Sequence, residues 1–306
     1  MNMTNSNERL LELGKKTIIM GILNVTPDSF SDGGKYVSVD GAVKRALEME
    51  KEGADIIDIG GESTRPGAKA ITLDEEMNRI IPVATELVEK TSIPISIDTY
   101  KSKIAKNAID IGIDMINDVT ALRGDKKLVN VVAEYDIPIC LMHMKGNPRN
   151  MQTDPRYDDI MVEIKSFLKE RAEYAVFNGV DKNNIIVDPG IGFGKRTGLG
   201  TEDNCEILKR LSELKDLGYP ILVGPSRKTF IGNICGWGEP LPAENRLEGS
   251  LAAAAIAVMN GADIVRVHDV KETRRAIDLV DSIIKNNTKS FIKVNNHQGQ
   301  KKFSKH

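Results

Sequence analysis

Aromatic residues are scarce in this chain. They make up 5% of its 306 residues, and Trp237 is its single tryptophan. That poverty argues against a carbohydrate site, where sugar faces are usually met by several rings, and Trp237 itself reads as core or loop packing. Charge of one sign is also lacking: the formal net charge is −2 and the pI about 6.2. A basic face for nucleic acid is therefore excluded, and any anionic ligand must be held by local groups. Cysteine is limited to Cys140, Cys205 and Cys235, far apart and without C-x-x-C spacing. This excludes a disulfide framework or a thiolate metal knuckle and suggests buried free thiols in a reducing compartment. No apolar run approaches the ~20 residues of a membrane span, and the first residues lack the apolar stretch of a secretory signal, so a cytoplasmic protein is expected.

What is present is alternation. Eight short apolar, β-branched runs recur: "TIIMGILN", "ADIIDIG", "IPISIDT", "DMINDV", "IPICLMH", "NIIVDPG", "PILVGPS" and "DIVRVHD". Between them lie stretches of helical periodicity, among them Asp40 to Glu52, Leu73 to Lys90, Tyr157 to Phe177 and Asn204 to Leu217. Before several runs stand "EGAD", "IGID", "NGVD", "LGYP" and "NGAD", each reading as a glycine helix stop and a short turn. The runs end instead on polar residues: Asn24, Asp58, Asp98, Asn117, His143, Asp188, Ser226 and His268. Any one of these could be a helix N-cap, but eight in the same relative place indicate a functional face. Plain turns at one end and polar residues at the other predict a single-domain (β/α)8 TIM barrel over residues 17–285 with its site at the C-terminal mouth. No G-x-G-x-x-G follows the first run, which disfavours a doubly wound open sheet. Residues 1–16 read as a lead-in and 286–306 as a polar, basic tail.

Three clusters carry chemistry. Arg266 and His268 share one face of the eighth strand, and in a closed barrel that strand neighbours the first two. Asn24, Thr64, Arg65, Arg266 and His268 would then meet at one edge of the mouth, where a guanidinium fork suits phosphate oxygens. The rival reading is an arginine pair bridging rim carboxylates. Deeper lie Asp98, Asn117 and Asp188, two carboxylates flanking an amide. They could accept from a guanidine-like edge such as a pterin's, or act as a glycosidase acid and base. In "GPSRKTFIG", Lys228 sits just past the seventh run, either reaching the ligand or starting a helix in solvent.

The stretches "MGILNVTPDSFSDGGKY", "GADIIDIGGESTRPGA", "SIDTYKS", "MINDV", "LMHMKGNPRNMQ", "DPGIGFGK", "GPSRKTFIG" and "RVHDV" resemble the dihydropteroate synthase family. The resemblance runs over roughly residues 17–283. It implies a barrel enzyme joining 6-hydroxymethyl-7,8-dihydropterin diphosphate to 4-aminobenzoate, as a homodimer using Mg2+. Carried over residue by residue, it implies that Asp98, Asn117, Asp188, Lys228 and Arg266 hold the pterin. Asn24, Thr64, Arg65, Arg266 and His268 would hold the diphosphate, with Asn24 also at the metal. Phe30, Pro66, Phe193, Lys228 and Thr229 would form the aminobenzoate pocket, and Asp32 would lie near the reaction centre in a closing loop. Asp32, Arg65, Lys228, Arg266 and His268 are thus the catalytic candidates. Two departures bear on the acceptor: "RTGLGTEDN" is longer than the family's usual connection, and Thr229 stands where Ser is commoner. They leave open a related methanopterin-pathway synthase that uses a ribosylated aminobenzene phosphate. A corrinoid-dependent methyltransferase barrel fits less well, because it has no diphosphate for "STRPG" to bind.

Overall fold

The turns that lead from helix to strand are built from a repeated pair of residues. The glycine that ends the helix takes a left-handed φ at Gly53, Gly112, Gly179, Gly218 and Gly261, a region without steric cost only for glycine. In three of these turns the aspartate two residues on accepts an N–H at or beside the start of a neighbouring strand. Asp55 accepts from Ile19 at 2.8 Å, Asp114 from Ile95 at 2.9 Å and Asp263 from Ile221 at 2.9 Å. One short motif thus stops a helix and fixes where the adjoining strand begins.

The computed structural model describes residues 16–26, 38–63, 70–146, 150–198 and 201–285. All eight predicted strands are present: β1 (Ile18–Asn24), β2 (Ile56–Gly60), β3 (Ile95–Asp98), β4 (Met115–Asp118), β5 (Ile139–Met142), β6 (Ile185–Asp188), β7 (Leu222–Val223) and β8 (Ile264–Val267). They run parallel in the order β6-β5-β4-β3-β2-β1-β8-β7. A single bridge, Val187 to Ile221, closes the ring between β6 and β7. The architecture is the expected (β/α)8 barrel. The described helices are α1 (Val39–Glu52), α2 (Leu73–Lys90), α3 (Ser102–Asp110), α4 (Leu128–Tyr135), α5 (Ile160–Phe177), α6 (Asp203–Arg210), α7 (Thr229–Cys235), α8 (Leu247–Met259) and α9 (Val270–Lys285). Ser38, Thr72 and Asp159 cap α1, α2 and α5 through side-chain oxygens, as the turn chemistry of those residues favours. The predicted helix to Leu217 tightens into a 3₁₀ turn after Arg210. None of the helices is long and apolar enough to cross a membrane.

Period-two alternation sorts each strand into two layers. Ile19, Ile57, Ile97, Ile139, Val187 and Val265 face outward and join the large core beneath the helices. Met20, Ile56, Met115, Cys140, Ile186, Leu222 and Ile264 form the floor of the barrel. Two residues further along the inward set the chemistry changes to Asp58, Asn117, Asp188, Gly224 and Arg266. The apolar floor thereby carries a polar layer facing the C-terminal mouth.

Two expectations are corrected. Only Cys140 is a buried thiol; Cys205 on α6 and Cys235 at the end of α7 are exposed. Trp237 is 97% exposed: it follows α7 at a left-handed φ of +49° that turns the chain away from the body. The longer connection after Lys195 forms a small hairpin, Thr197–Gly198 paired with Thr201–Glu202. Arg196 grips Asp203 across its base, and the hairpin lies against α7.

Candidate active site

Asp98, Asn117, Asp188, Phe193, Lys228 and Arg266 line one cavity at the barrel mouth, together with Val119, Met142, Ile191 and Gly224. The sequence placed these six functional candidates on β3, β4, β6, β8 and two loops, and the fold brings them together. Asn24 ends β1, partly exposed, and registers with Gly60. Thr229 opens α7. Phe30, Asp32, Thr64, Arg65 and Pro66 lie outside the described residues.

Asp58 is the residue that sequence reasoning left without a role. It is fully buried on β2, and one of its oxygens, Oδ2, accepts from Arg266 Nε at 2.6 Å and from Asn117 Nδ2 at 3.1 Å. Arg266 also donates from NH2 to Asp98 at 2.9 Å. With its NH2 group turned to Asp58, Asn117 is left to present its carbonyl oxygen. The second aspartate of "ADIIDIG", flanked by isoleucines, was the available signal, since a buried carboxylate demands a partner.

Burial pushes the Asp98 carboxyl upward, with Arg266 pulling it back and Asp58 adding to the rise. Asp188 rises to about 6 for the same first reason, opposed by the Gly190 N–H and the nearby Lys228. Arg266 is raised by its two carboxylates despite burial. The cavity therefore holds two carboxylates that a cationic or strongly donating ligand edge would keep ionised.

His268 stands just past the end of β8. Burial first, then Arg227 and Arg266, lower it to about 3, so it is a neutral imidazole at pH 7. Ser226 Oγ accepts from the His268 backbone N–H at 3.2 Å and lies 3.0 Å from Nδ1. With Ser226 donating its hydroxyl to Nδ1, the ring proton sits on Nε2, and His268 serves as a hydrogen-bond donor.

Lys228 reaches inward because the residue before it is strained. Arg227 has a φ of +58° and is held there by Asp269 on its guanidinium, Ser250 on its N–H and Arg246 on its carbonyl. The chain then turns so that Lys228 Nζ stands 4.0 Å from the centre of the Phe193 ring. Such a cation over a ring face is attracted by its quadrupole.

The comparisons fit this geometry. The model of the pterin binding enzyme family matches residues 20–268. A curated dihydropteroate synthase of Clostridium beijerinckii is 47% identical over 274 residues, covering 89% of this chain and 96% of that protein. The chain belongs to the dihydropteroate synthase family. A dihydropteroate synthase structure from Clostridium difficile, obtained in the presence of pteroic acid, matches with TM-score 0.82 at 48% identity, over 89% of this chain and 98% of that one. The Xanthomonas albilineans dihydropteroate synthase with 4-aminobenzoic acid gives 0.81 and 44%, over 88% and 93%. As a member of the dihydropteroate synthase family, the chain has a close match to synthases along nearly their whole length. That match favours neither the methanopterin-pathway reading nor the methyltransferase reading.

Proposed function

We infer that the chain condenses 6-hydroxymethyl-7,8-dihydropterin diphosphate with 4-aminobenzoate, giving 7,8-dihydropteroate and diphosphate. The carrying observation is the cavity in which Asp98, Asn117 and Asp188 meet Lys228 and Arg266, in a chain of this family. The carboxylates accept the amino and ring N–H groups of the pterin, and the Asn117 carbonyl adds an acceptor between them. Lys228 donates from the side of β7, and Arg266 sets Asp98 in place. Phe193 bounds the space for the arylamine near Thr229, and the family resemblance adds Phe30 and Pro66 to that pocket.

An arylamine is neutral near pH 7, so its lone pair needs no strong base. The barrier lies in the leaving group. As the methylene C–O bond breaks, its electron pair goes to diphosphate, and the electron-rich pterin spreads the positive charge left behind. The amine nitrogen then forms the C–N bond and sheds a proton. Donors fixed in advance at the mouth, the His268 Nε2–H and Arg266, stabilise the developing charge without reorganising, and the family resemblance assigns Thr64 and Arg65 to the same leaving group. Because water would trap the cation, the loop bearing Asp32 and Phe30 is assigned the exclusion of solvent.

Mg2+ usually takes one or two protein oxygens and completes its shell with phosphate and water. Asn24 at the end of β1 would supply one such oxygen, and among the described residues no group of three or more His, Cys, Asp or Glu forms a cage. This sparse donor set fits Mg2+ more than a metal needing a full protein cage; Asn24 would hold the ion, which when bound would neutralise leaving-group charge. We also assign a cytoplasmic homodimer. Ile256, Met259, Leu279 and Ile283 leave α8 and α9 with an exposed apolar face of the kind that marks association.

The test is turnover with the pterin diphosphate, Mg2+ and 4-aminobenzoate, following pteroate and diphosphate together. One product of each per cycle, lost on chelation, is expected. Product with a ribosylated aminobenzene phosphate but none with 4-aminobenzoate would overturn the assignment.

A further inference from the structure

Lys195 is a fully buried lysine that the reaction does not use. Its ammonium sits at the centre of the loop after β6, and its three donors are all engaged. They reach the Gly190 carbonyl at 3.0 Å, the Phe193 carbonyl at 2.9 Å and His143 Nδ1 at 3.0 Å. An ammonium has three donors and no acceptor, so the fit is complete. His143, lowered to about 2 by burial and by Lys195 itself, is the neutral acceptor this arrangement needs.

The loop around it has little stiffness of its own. Gly190, Gly192 and Gly194 have φ of +70°, +81° and +60°, and each such glycine is conformationally free before folding. The other contacts hold the loop at its glycines, including the two that flank Phe193. Asp188 and Asn204 accept from the N–H groups of Gly190 and Gly192, Gln152 donates to the Gly192 carbonyl, and Tyr157 to that of Gly194. At Phe193, the carbonyl is held by Lys195, and the N–H donates to the same Gly190 carbonyl that Lys195 grips. Both ends of the four-residue turn that presents the Phe193 ring are thus tied to one nitrogen.

The charged groups facing this nitrogen are Asp188 on β6, Asp203 at the start of α6, and Lys228 and Lys145 on flanking loops. Burial is the largest influence and lowers the Lys195 ammonium to about 7, with the two carboxylates opposing that fall and the two lysines adding to it. The nitrogen is kept in place by its three acceptors, not by a single ion pair.

We propose that Lys195 is a positioning residue for the arylamine acceptor: through the Gly190 and Phe193 carbonyls it fixes the Phe193 ring against Lys228, while the pterin-facing residues stay in place without it. This rests on the reading of Phe193 as a wall of the aminobenzoate pocket.

The test is a double-mutant cycle on the full chain with Lys195→Met and Phe193→Ala, reading the KM for 4-aminobenzoate and, separately, the dissociation constant of the pterin. A charge-assisted hydrogen bond lost from one wall of a pocket predicts a KM raised about tenfold by Lys195→Met. The pterin constant should move less than twofold, and in the Phe193→Ala background the KM effect should vanish. Equal losses in both substrates, or a KM effect that persists without Phe193, would overturn the proposal. Should Lys195→Met prove insoluble, Lys195→Gln keeps two of the three donors on a shorter side chain and should give a smaller effect that still vanishes with Phe193; an unchanged KM in that soluble variant would also overturn it. Failure of the wild-type chain to form pteroate would instead sink the functional reading, so the two failures are distinct.

Discussion

Removing Asp58 should separate what its charge does from what its shape does. In Asp58→Ala, Arg266 keeps only Asp98, and the Asn117 amide loses the acceptor that turned its NH2 inward. Deleting one partner of a buried ion pair typically costs about 3–5 kcal/mol, and the surviving Asp98 contact puts this case near the lower end. A stranded amide N–H adds about 1 kcal/mol, for a total near 4 kcal/mol. Asp58→Asn can keep an oxygen where both bonds converge and lose only charge assistance, so about 1–2 kcal/mol is expected. Urea denaturation monitored at several concentrations gives both values, and titration with the pterin gives the accompanying loss of affinity. Asp58→Ala should weaken the pterin roughly five- to tenfold, because one neutral hydrogen bond to Asn117 is misdirected. Equal stability for the Ala and Asn variants would refute the idea that one oxygen organises the site. So would additive effects on pterin affinity of Asp58→Ala and Asn117→Ala.

Two further outcomes follow from the same geometry. Asp188 is held at about 6 against 3.8 for an ordinary aspartate, so between those values the folded chain binds the extra proton. Its contribution to stability falls as pH rises through that window and is level above it, whereas pterin affinity, which needs the carboxylate, should fall below pH 6 and approach tenfold per unit. A titration from pH 5 to 8 should lose that step in Asp188→Asn; a step that persists belongs to another group. On α9, Leu279→Arg places a charge on the exposed apolar face and should shift sedimentation from dimer to monomer while turnover per active site changes less than severalfold. A wild-type monomer at micromolar concentration would refute the dimer.

Most of the barrel was legible because its signals are local. Eight β-branched runs, glycine stops and polar strand ends each depend on a few adjacent residues, and all eight strands form where the runs lie. The cavity was legible for a related reason: period two carries Asp98, Asn117, Asp188 and Arg266 to one face. What escaped depends on distant pairing. Asp58 gains its role from Arg266, which is far along the sequence, and Lys195 reads as an ordinary loop cation until the carbonyls of its own loop are seen to close around it. The charge state of His268 was illegible too, since burial and two arginines set it. Trp237 shows the opposite error, where a large apolar side chain implied burial that the backbone turn denies.

The ring of strands is not uniform, and its one unladdered joint has a position worth noting. Between β6 and β7 a lone bridge at Val187 and Ile221 stands where other neighbours share a ladder, and β7 itself is two residues long. Immediately above that joint, the loop after β6 offers Phe193 and the loop after β7 offers Lys228, one resting on the other. The barrel is therefore spliced twice at this place, by backbone below and by a ring and an ammonium above. Whatever occupies the acceptor pocket shares in the upper splice, so occupancy there should act as a rivet for the wall, and amide exchange at Ile221 and Leu222 should slow when the pocket fills.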